Sequence, residues 1–160
     1  MGEMGIVFAV IGMALAAILP GFGSAKGVGI AGQAGAGVIA EEPGLFGKVL
    51  ILQLLPGTQG IYGLLIAFIA MINIGVIGGE SSMTLVKGLS YFGACMPMAL
   101  VGYVSAIAQA KASIASINLV AKKPDQFGKA MIFPAMVETY AILALLVSLL
   151  AVFGVAGMTI

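Results

Sequence analysis

Charged residues fall along this chain in short clusters, and between them lie runs of apolar residues with no charge at all. The charged positions are 3, 26, 41, 42, 48, 80, 87, 111, 122, 123, 125, 129 and 138, which leaves uncharged stretches at 4–25, 49–79, 88–110 and 139–160. A helix needs roughly 20 apolar residues to cross the hydrocarbon core of a bilayer. Backbone groups in lipid must be bonded within their own segment, so such stretches read as helices. The pattern predicts four, over 5–39, 46–77, 84–120 and 127–153. The first and third are longer than a bilayer requires and are expected to project into water. Glu41-Glu42-Pro43-Gly44, Gly78-Gly79-Glu80 and Lys122-Lys123-Pro124-Asp125 carry the turn chemistry that ends the first three.

The second regularity is an internal repeat. Leu55-Pro56-Gly57-Thr58-Gln59-Gly60-Ile61-Tyr62 answers Phe133-Pro134-Ala135-Met136-Val137-Glu138-Thr139-Tyr140, proline on proline and tyrosine on tyrosine. Gly47-Lys48 answers Gly128-Lys129, and Ser24-Ala25-Lys26 answers Gln109-Ala110-Lys111, with small gaps between. The chain therefore reads as two tandem helical hairpins, 1–80 and 81–160. Only the second keeps a carboxylate, because Glu138 stands where the first has Gly60.

Composition narrows the chemistry. Of the 160 residues 61% are hydrophobic and 8% charged, far below the ~25% charged of soluble domains. The chain is expected to be an all-α integral membrane protein. With a net charge of +1 and no basic cluster, nucleic acid is not an expected partner. The chain has no His, Arg or Trp, which removes histidine-based acid–base chemistry, histidine-ligated metals and arginine clamps on phosphate. One cysteine, Cys95, allows no internal disulfide or thiolate cage and reads as a small apolar filler. No Lys or Arg precedes the first apolar run, so a cleaved secretory signal is not expected. Lys48, Lys122, Lys123 and Lys129 flank the first and third turns, against Lys87 alone on the other side. The positive-inside rule puts those turns in the cytoplasm and both termini outside.

Small residues dominate the odd-numbered helices. Seven of the seventeen residues from Gly21 to Gly37 are glycine, and small side chains recur every fourth position at Gly23, Gly27, Ala31 and Gly35, then at Gly102, Ala106 and Ala110. Such ridges let helix backbones approach closely in lipid. Because small residues cover most faces of the first helix, neighbours are expected on several sides, as in a closed ring of hairpins. Gly27-Val28-Gly29-Ile30-Ala31-Gly32 also fits the dinucleotide-binding glycine pattern. It lacks the preceding strand and soluble βαβ setting that the pattern requires, so the match is discarded.

Glu138 carries the functional argument. A carboxylate inside a transmembrane helix is costly and by default marks an ion path. At 1.5 Å per residue, Glu138 lies ~14 Å past Lys129 and Thr58 ~15 Å past Lys48, at matching depth. Leu55, Thr58, Gln59 and Tyr62 are spaced to share one helix face, and Pro56 disturbs the backbone bonding beside them. Gln109 on the third helix adds an amide at comparable depth. Each polar residue alone is explained by interhelical hydrogen bonding. As a set they offer a carboxylate, two amide oxygens, a hydroxyl and a possible carbonyl, the oxygen ligands a hard cation takes in numbers of about six. A proton needs only the carboxylate, so the surplus favours dehydrated Na+ over H+. Tyr62 is expected to donate to Glu138 rather than to ligate. Lys111 is two residues from Gln109, about 200° around the helix, and points away from the site. Lys26 and Lys111 are expected to snorkel toward lipid headgroups, with salt bridging across a ring as the rival.

Taken together, 54–63 (Leu54 to Gly63), Ala108-Gln109-Ala110-Lys111 and Met136-Val137-Glu138-Thr139-Tyr140-Ala141 closely resemble the duplicated-hairpin rotor-ring proteolipids of bacterial V-type sodium ATPases, known as the K or c subunits. The resemblance spans nearly the whole chain. It implies a multi-copy ring of this protein that turns against a stator (the a or I subunit), is coupled to central-stalk subunits and sits in the lipid of the cell membrane. It implies Na+ ligands at Leu55 (through its main-chain oxygen), Thr58, Gln59, Gln109 and Glu138, with Tyr62 bonding the glutamate. It implies a non-catalytic role, since ATP is hydrolysed on the soluble head. Pro134 is the position where agreement with the family pattern is least expected, and it bears on local helix shape. The alternatives are a proton-translocating ring of the same type and, in a different class, a small secondary transporter or channel with one essential glutamate.

Overall fold

Apolar side chains all round a helix leave nothing for it to do but pack against other helices or face lipid. The computed structural model describes residues 2–77 and 83–159, without the side chains of residues 2 and 3, and every element in them is helical. Helix α1 runs Gly2–Glu41, α2 Phe46–Leu54, α3 Thr58–Ile74, α4 Leu85–Lys122 and α5 Phe127–Ala156. Three-residue 3-10 turns at Pro43–Leu45, Leu55–Gly57 and Pro124–Gln126 join α1 to α2, α2 to α3 and α4 to α5. Four rods are long and apolar enough to cross a membrane: Met4–Glu41, Pro43–Ile74, Leu85–Lys122 and Pro124–Ala156. With 40 and 38 residues, α1 and α4 measure about 60 Å and 57 Å at 1.5 Å per residue, well beyond the hydrocarbon core.

Two expectations about the second rod need correction. It is not one helix over 46–77, because Pro56 has no N–H to give and its ring opposes the preceding carbonyls, so the chain tightens into a 3-10 turn. Nor does it reach residue 77. Gly75 takes a left-handed φ of 78°, and its N–H and that of Val76 close back on Ile72 O (3.1 Å) and Met71 O (3.3 Å). Only glycine adopts that conformation cheaply, so the helix stops at Ile74. The expected stop at Gly78-Gly79-Glu80 lies outside the described residues. At the start of α4 the Thr84 hydroxyl accepts the Lys87 N–H at 3.2 Å and caps the helix.

The small-residue ridges are where α1 and α4 meet. Gly23, Gly27, Ala31 and Gly35 are all buried, and so are Gly102, Ala106 and Ala110. A Cβ at Gly23 would lie 2.7 Å from the Tyr103 carbonyl oxygen and 3.1 Å from Ala106 Cβ. Any larger side chain would force the two backbones apart, so the glycine is what allows this approach. Gly29 and Gly37, on other faces of α1, meet nothing within 4 Å. The rods α2–α3 and α5 pack outside this pair. Their outward positions, among them Ile61, Leu64, Phe68, Leu143, Leu146 and Leu150, are exposed and apolar. Cys95 is fully buried in the apolar core near Tyr91 and Met98.

Candidate functional site

The polar centre of the molecule assembles where the 3-10 turn Leu55–Gly57 faces α4 and α5. The turn leaves Leu55 O accepting the Thr58 hydroxyl at 3.1 Å, while Thr58 Oγ1 lies 3.5 Å from Gln59 Oε1. Gln59 Nε2 donates to Gln109 Oε1 across the α3–α4 contact. Gln109 Nε2 donates in turn to the Pro134 carbonyl at 3.0 Å and lies 3.4 Å from Glu138 Oε2. The Tyr62 hydroxyl donates to Glu138 Oε1 at 2.6 Å. Leu55, Thr58, Gln59, Tyr62, Gln109 and Glu138 therefore form one continuous chain of contacts drawn from three helical rods.

Burial separates their roles. Gln59 and Gln109 are fully buried, each with 0% exposure, and buried amides of this kind must be paired. Glu138, Thr58, Tyr62 and Leu55 are half-buried. The carboxylate thus sits at the outer rim of a cluster whose floor is made of amides. Its two oxygens face different donors, one a phenol and one an amide, which fixes its orientation. Among the described residues no three His, Cys, Asp or Glu side chains gather. One carboxylate with neutral oxygens balances a single positive charge; a divalent cation would leave an uncompensated charge in a low-dielectric setting.

The equivalent point in the first hairpin is built differently. Counted from the matching turns, Pro43 with Pro124 and Lys48 with Lys129, Gly57 stands where the second has Glu138, rather than the Gly60 expected from the proline and tyrosine pairing; three residues on, the Gly60 N–H is taken by the Ser24 hydroxyl at 2.8 Å. In that register Thr58, Gln59 and Tyr62 have Thr139, Tyr140 and Leu143 as counterparts, and Tyr140 is 66% exposed. Two contributors escape a reading of the sequence, the Pro134 carbonyl that anchors Gln109 and the Ser24 hydroxyl. Backbone acceptors leave no trace in residue type. Pro134 does not break α5, which continues through it to Ala156. Lys26 and Lys111 are exposed.

The model of the family described as the C subunit of ATP synthase matches the chain twice, over residues 11–70 and 92–151. Over 150 residues the chain is 53% identical to the V-type sodium ATPase subunit K of Enterococcus hirae, covering 94% of this chain and 93% of that protein. It is 38% identical over 150 residues to the A-type ATP synthase subunit K of Methanocaldococcus jannaschii, covering 94% of this chain and 64% of that one.

Proposed function

Since this chain belongs to the family of ATP synthase C subunits, we propose that it is the ion-translocating rotor-ring component of a V-type ATPase, carrying Na+ on Glu138. Its part in the enzyme is non-catalytic, and family membership sets aside a free-standing secondary transporter. The observation that carries the Na+ reading is the continuous chain of contacts that gathers the neutral oxygens of Leu55, Thr58, Gln59 and Gln109 into one cluster with a single carboxylate at its rim, Gln109 presenting its amide nitrogen to Glu138 and its oxygen to Gln59. A proton carrier has no use for them. The likeness to a sodium ATPase proteolipid supports the same ion.

The mechanism is electrostatic. Na+ is the cargo, and with it bound Glu138 is neutral overall and can pass the lipid-facing part of a rotation. Emptied, the carboxylate is charged and remains where a counter-charge on the stator meets it, because an unpaired charge in hydrocarbon is costly. Tyr62 holds the side chain folded inward against the cluster. Release requires that this hydrogen bond open. The half-buried position of Glu138 at the rim suits such a swing, and the fully buried Gln59 and Gln109 remain as a fixed floor.

In this reading the duplicated units are 1–80 and 81–160, and one ion is carried per chain. Copies of the chain close into a ring that contacts membrane lipid, a stator and the central stalk. The turns at Pro43 and Pro124 face the cytoplasm and both termini face outward. Lys26 and Lys111 reach for headgroups. ATPase activity of the intact complex with and without Na+ tests the proposal. Activity that rises with Na+ at constant ionic strength is expected. Activity indifferent to Na+ but collapsing a proton gradient would mean that the ring carries protons.

A further inference from the structure

We infer that neighbouring copies of this chain are joined by a lysine clamp between Lys129 and the Pro43 turn of the next copy, a joint that this single chain already contains once between its own halves; the inference rests on the ring reading above. The two turns correspond residue for residue: Glu41-Glu42-Pro43-Gly44-Leu45-Phe46-Gly47-Lys48 against Lys122-Lys123-Pro124-Asp125-Gln126-Phe127-Gly128-Lys129. Their backbones correspond as well. Glu42 has φ −131° and ψ 79°, Lys123 has φ −142° and ψ 79°, and each opens a three-residue 3-10 turn that begins at the proline.

Within the chain, Lys48 Nζ donates to the Pro124 carbonyl at 2.8 Å, tying the first hairpin to the turn of the second. In a ring built by repeating one rotation, the second hairpin stands to the next copy's first hairpin as the first stands to the second. The counterpart of Lys48 is Lys129, and the counterpart of Pro124 is Pro43. Both Lys129 and Pro43 are exposed in the single chain. The face of α4 and α5 that the next copy would cover also carries an apolar groove of about 480 Å³ lined by Leu100, Val104, Ala108, Val137 and Tyr140.

Charge adds a second, independent reason. The first turn carries Glu41-Glu42 where the second carries Lys122-Lys123. Already inside the chain Glu41 and Lys122 line one hollow of about 470 Å³ together with Asn118. Around a ring, acidic and basic turns alternate, so each acidic turn has basic neighbours on both sides. Lys48 reaches a turn of its own sign, whereas Lys129 reaches the acidic one. The joint between copies is therefore the better matched of the two electrostatically, which also selects head-to-tail closure over pairing of like faces.

Paired cysteines read this geometry. Lys129→Cys with Gly44→Cys, treated in membranes with a short bismaleimide, is expected to give a ladder of covalent oligomers up to the ring. Lys48→Cys with Asp125→Cys is expected to link within one chain and give no ladder. The unsubstituted chain, with Cys95 buried, is the blank. A ring-sized native mass with no ladder from the Lys129/Gly44 pair would overturn the clamp and leave the ring standing. A monomeric native mass would overturn both. As a check on charge, Lys129→Glu is expected to release monomers from detergent-solubilised rings, and adding Glu42→Lys to restore them. Failure of the second change to rescue the first would count against the pairing.

Discussion

Two points in this molecule occupy equivalent places in a repeated hairpin, yet only one is built to hold a charge. At the first, Gly57 offers no side chain, and three residues on the bare Gly60 N–H is satisfied by the Ser24 hydroxyl. At the second, Glu138 offers a carboxylate and a phenol and an amide satisfy it. The partners differ because the groups differ: a neutral donor needs one acceptor, whereas a carboxylate needs donors or a cation on both oxygens. The groups proposed to hold that cation are not all supplied by the half that keeps the acid. Leu55, Thr58, Gln59 and Tyr62 come from the first hairpin, Gln109 and Glu138 from the second. In the proposed reading the ion site is therefore assembled across the seam between the two halves.

The largest effect is expected from removing the acid. Glu138→Gln preserves shape and hydrogen bonding but cannot alternate between charged and neutralised states, so ATP-driven transport by the intact complex should be lost with the ring still assembled. Restoring a carboxylate in the other half, by Gly57→Glu in that background, should not rescue it. A Cβ at Gly57 meets Val28 Cγ2 at 3.4 Å, and the counterparts of Gln109 and Tyr62 are the apolar Val28 and Leu143. Transport by the double variant would break the comparison, because it would show the two halves to be interchangeable.

Smaller losses should follow from Thr58→Ala, Gln59→Ala and Gln109→Ala taken singly. Each leaves a buried polar partner unsatisfied, a loss on the order of 1–3 kcal/mol. Titrating Na+ against ATPase activity should show apparent affinity reduced about 5- to 150-fold. Unchanged Na+ dependence in all three would favour a proton machine.

The smallest effect belongs to the first half. Ser24→Ala strips the acceptor from the Gly60 N–H and should cost about 1 kcal/mol of stability, seen as a lower ring melting temperature. Its Na+ titration should not move. A shift there would mean that the first half contributes to the ion site through Ser24 as well as through α3.

Most of this architecture was legible because lipid imposes one strong rule on backbone groups, so charge-free runs translate directly into helices. The ridges at Gly23 and Gly102 were equally plain, since spacing alone puts them on one face. The break in the second rod was harder. The motif pairing sets Pro56 against Pro134, but one closes a 3-10 turn while the other lies in unbroken helix, and counted from the turns Pro56 faces Val137. Their followers differ: Gly57 and Gly60 lower helix propensity by roughly 1 kcal/mol each relative to alanine, while Ala135 and Met136 favour the helix. The polar positions of the site could be grouped by depth and face, but not the anchoring of Gln109 on the Pro134 carbonyl, because a main-chain acceptor is common to every residue.

The central claim is that Glu138 alone holds the cargo ion and that Na+ and H+ compete for it. Carbodiimide labelling of the assembled ring tests this most directly, since the reagent needs a protonated acid and, among the described residues, Glu138 is the one carboxyl in the interior of a helix long and apolar enough to cross a membrane. Glu41, Glu42 and Asp125 lie at helix ends or in turns, Glu3 is near the start of the sequence, and Glu80 falls between its second and third apolar runs. The account predicts modification at Glu138 only, faster at lower pH and suppressed by Na+ but not by K+ at equal ionic strength. Labelling that follows pH and ignores Na+, or that spreads over the turn carboxylates, would contradict it.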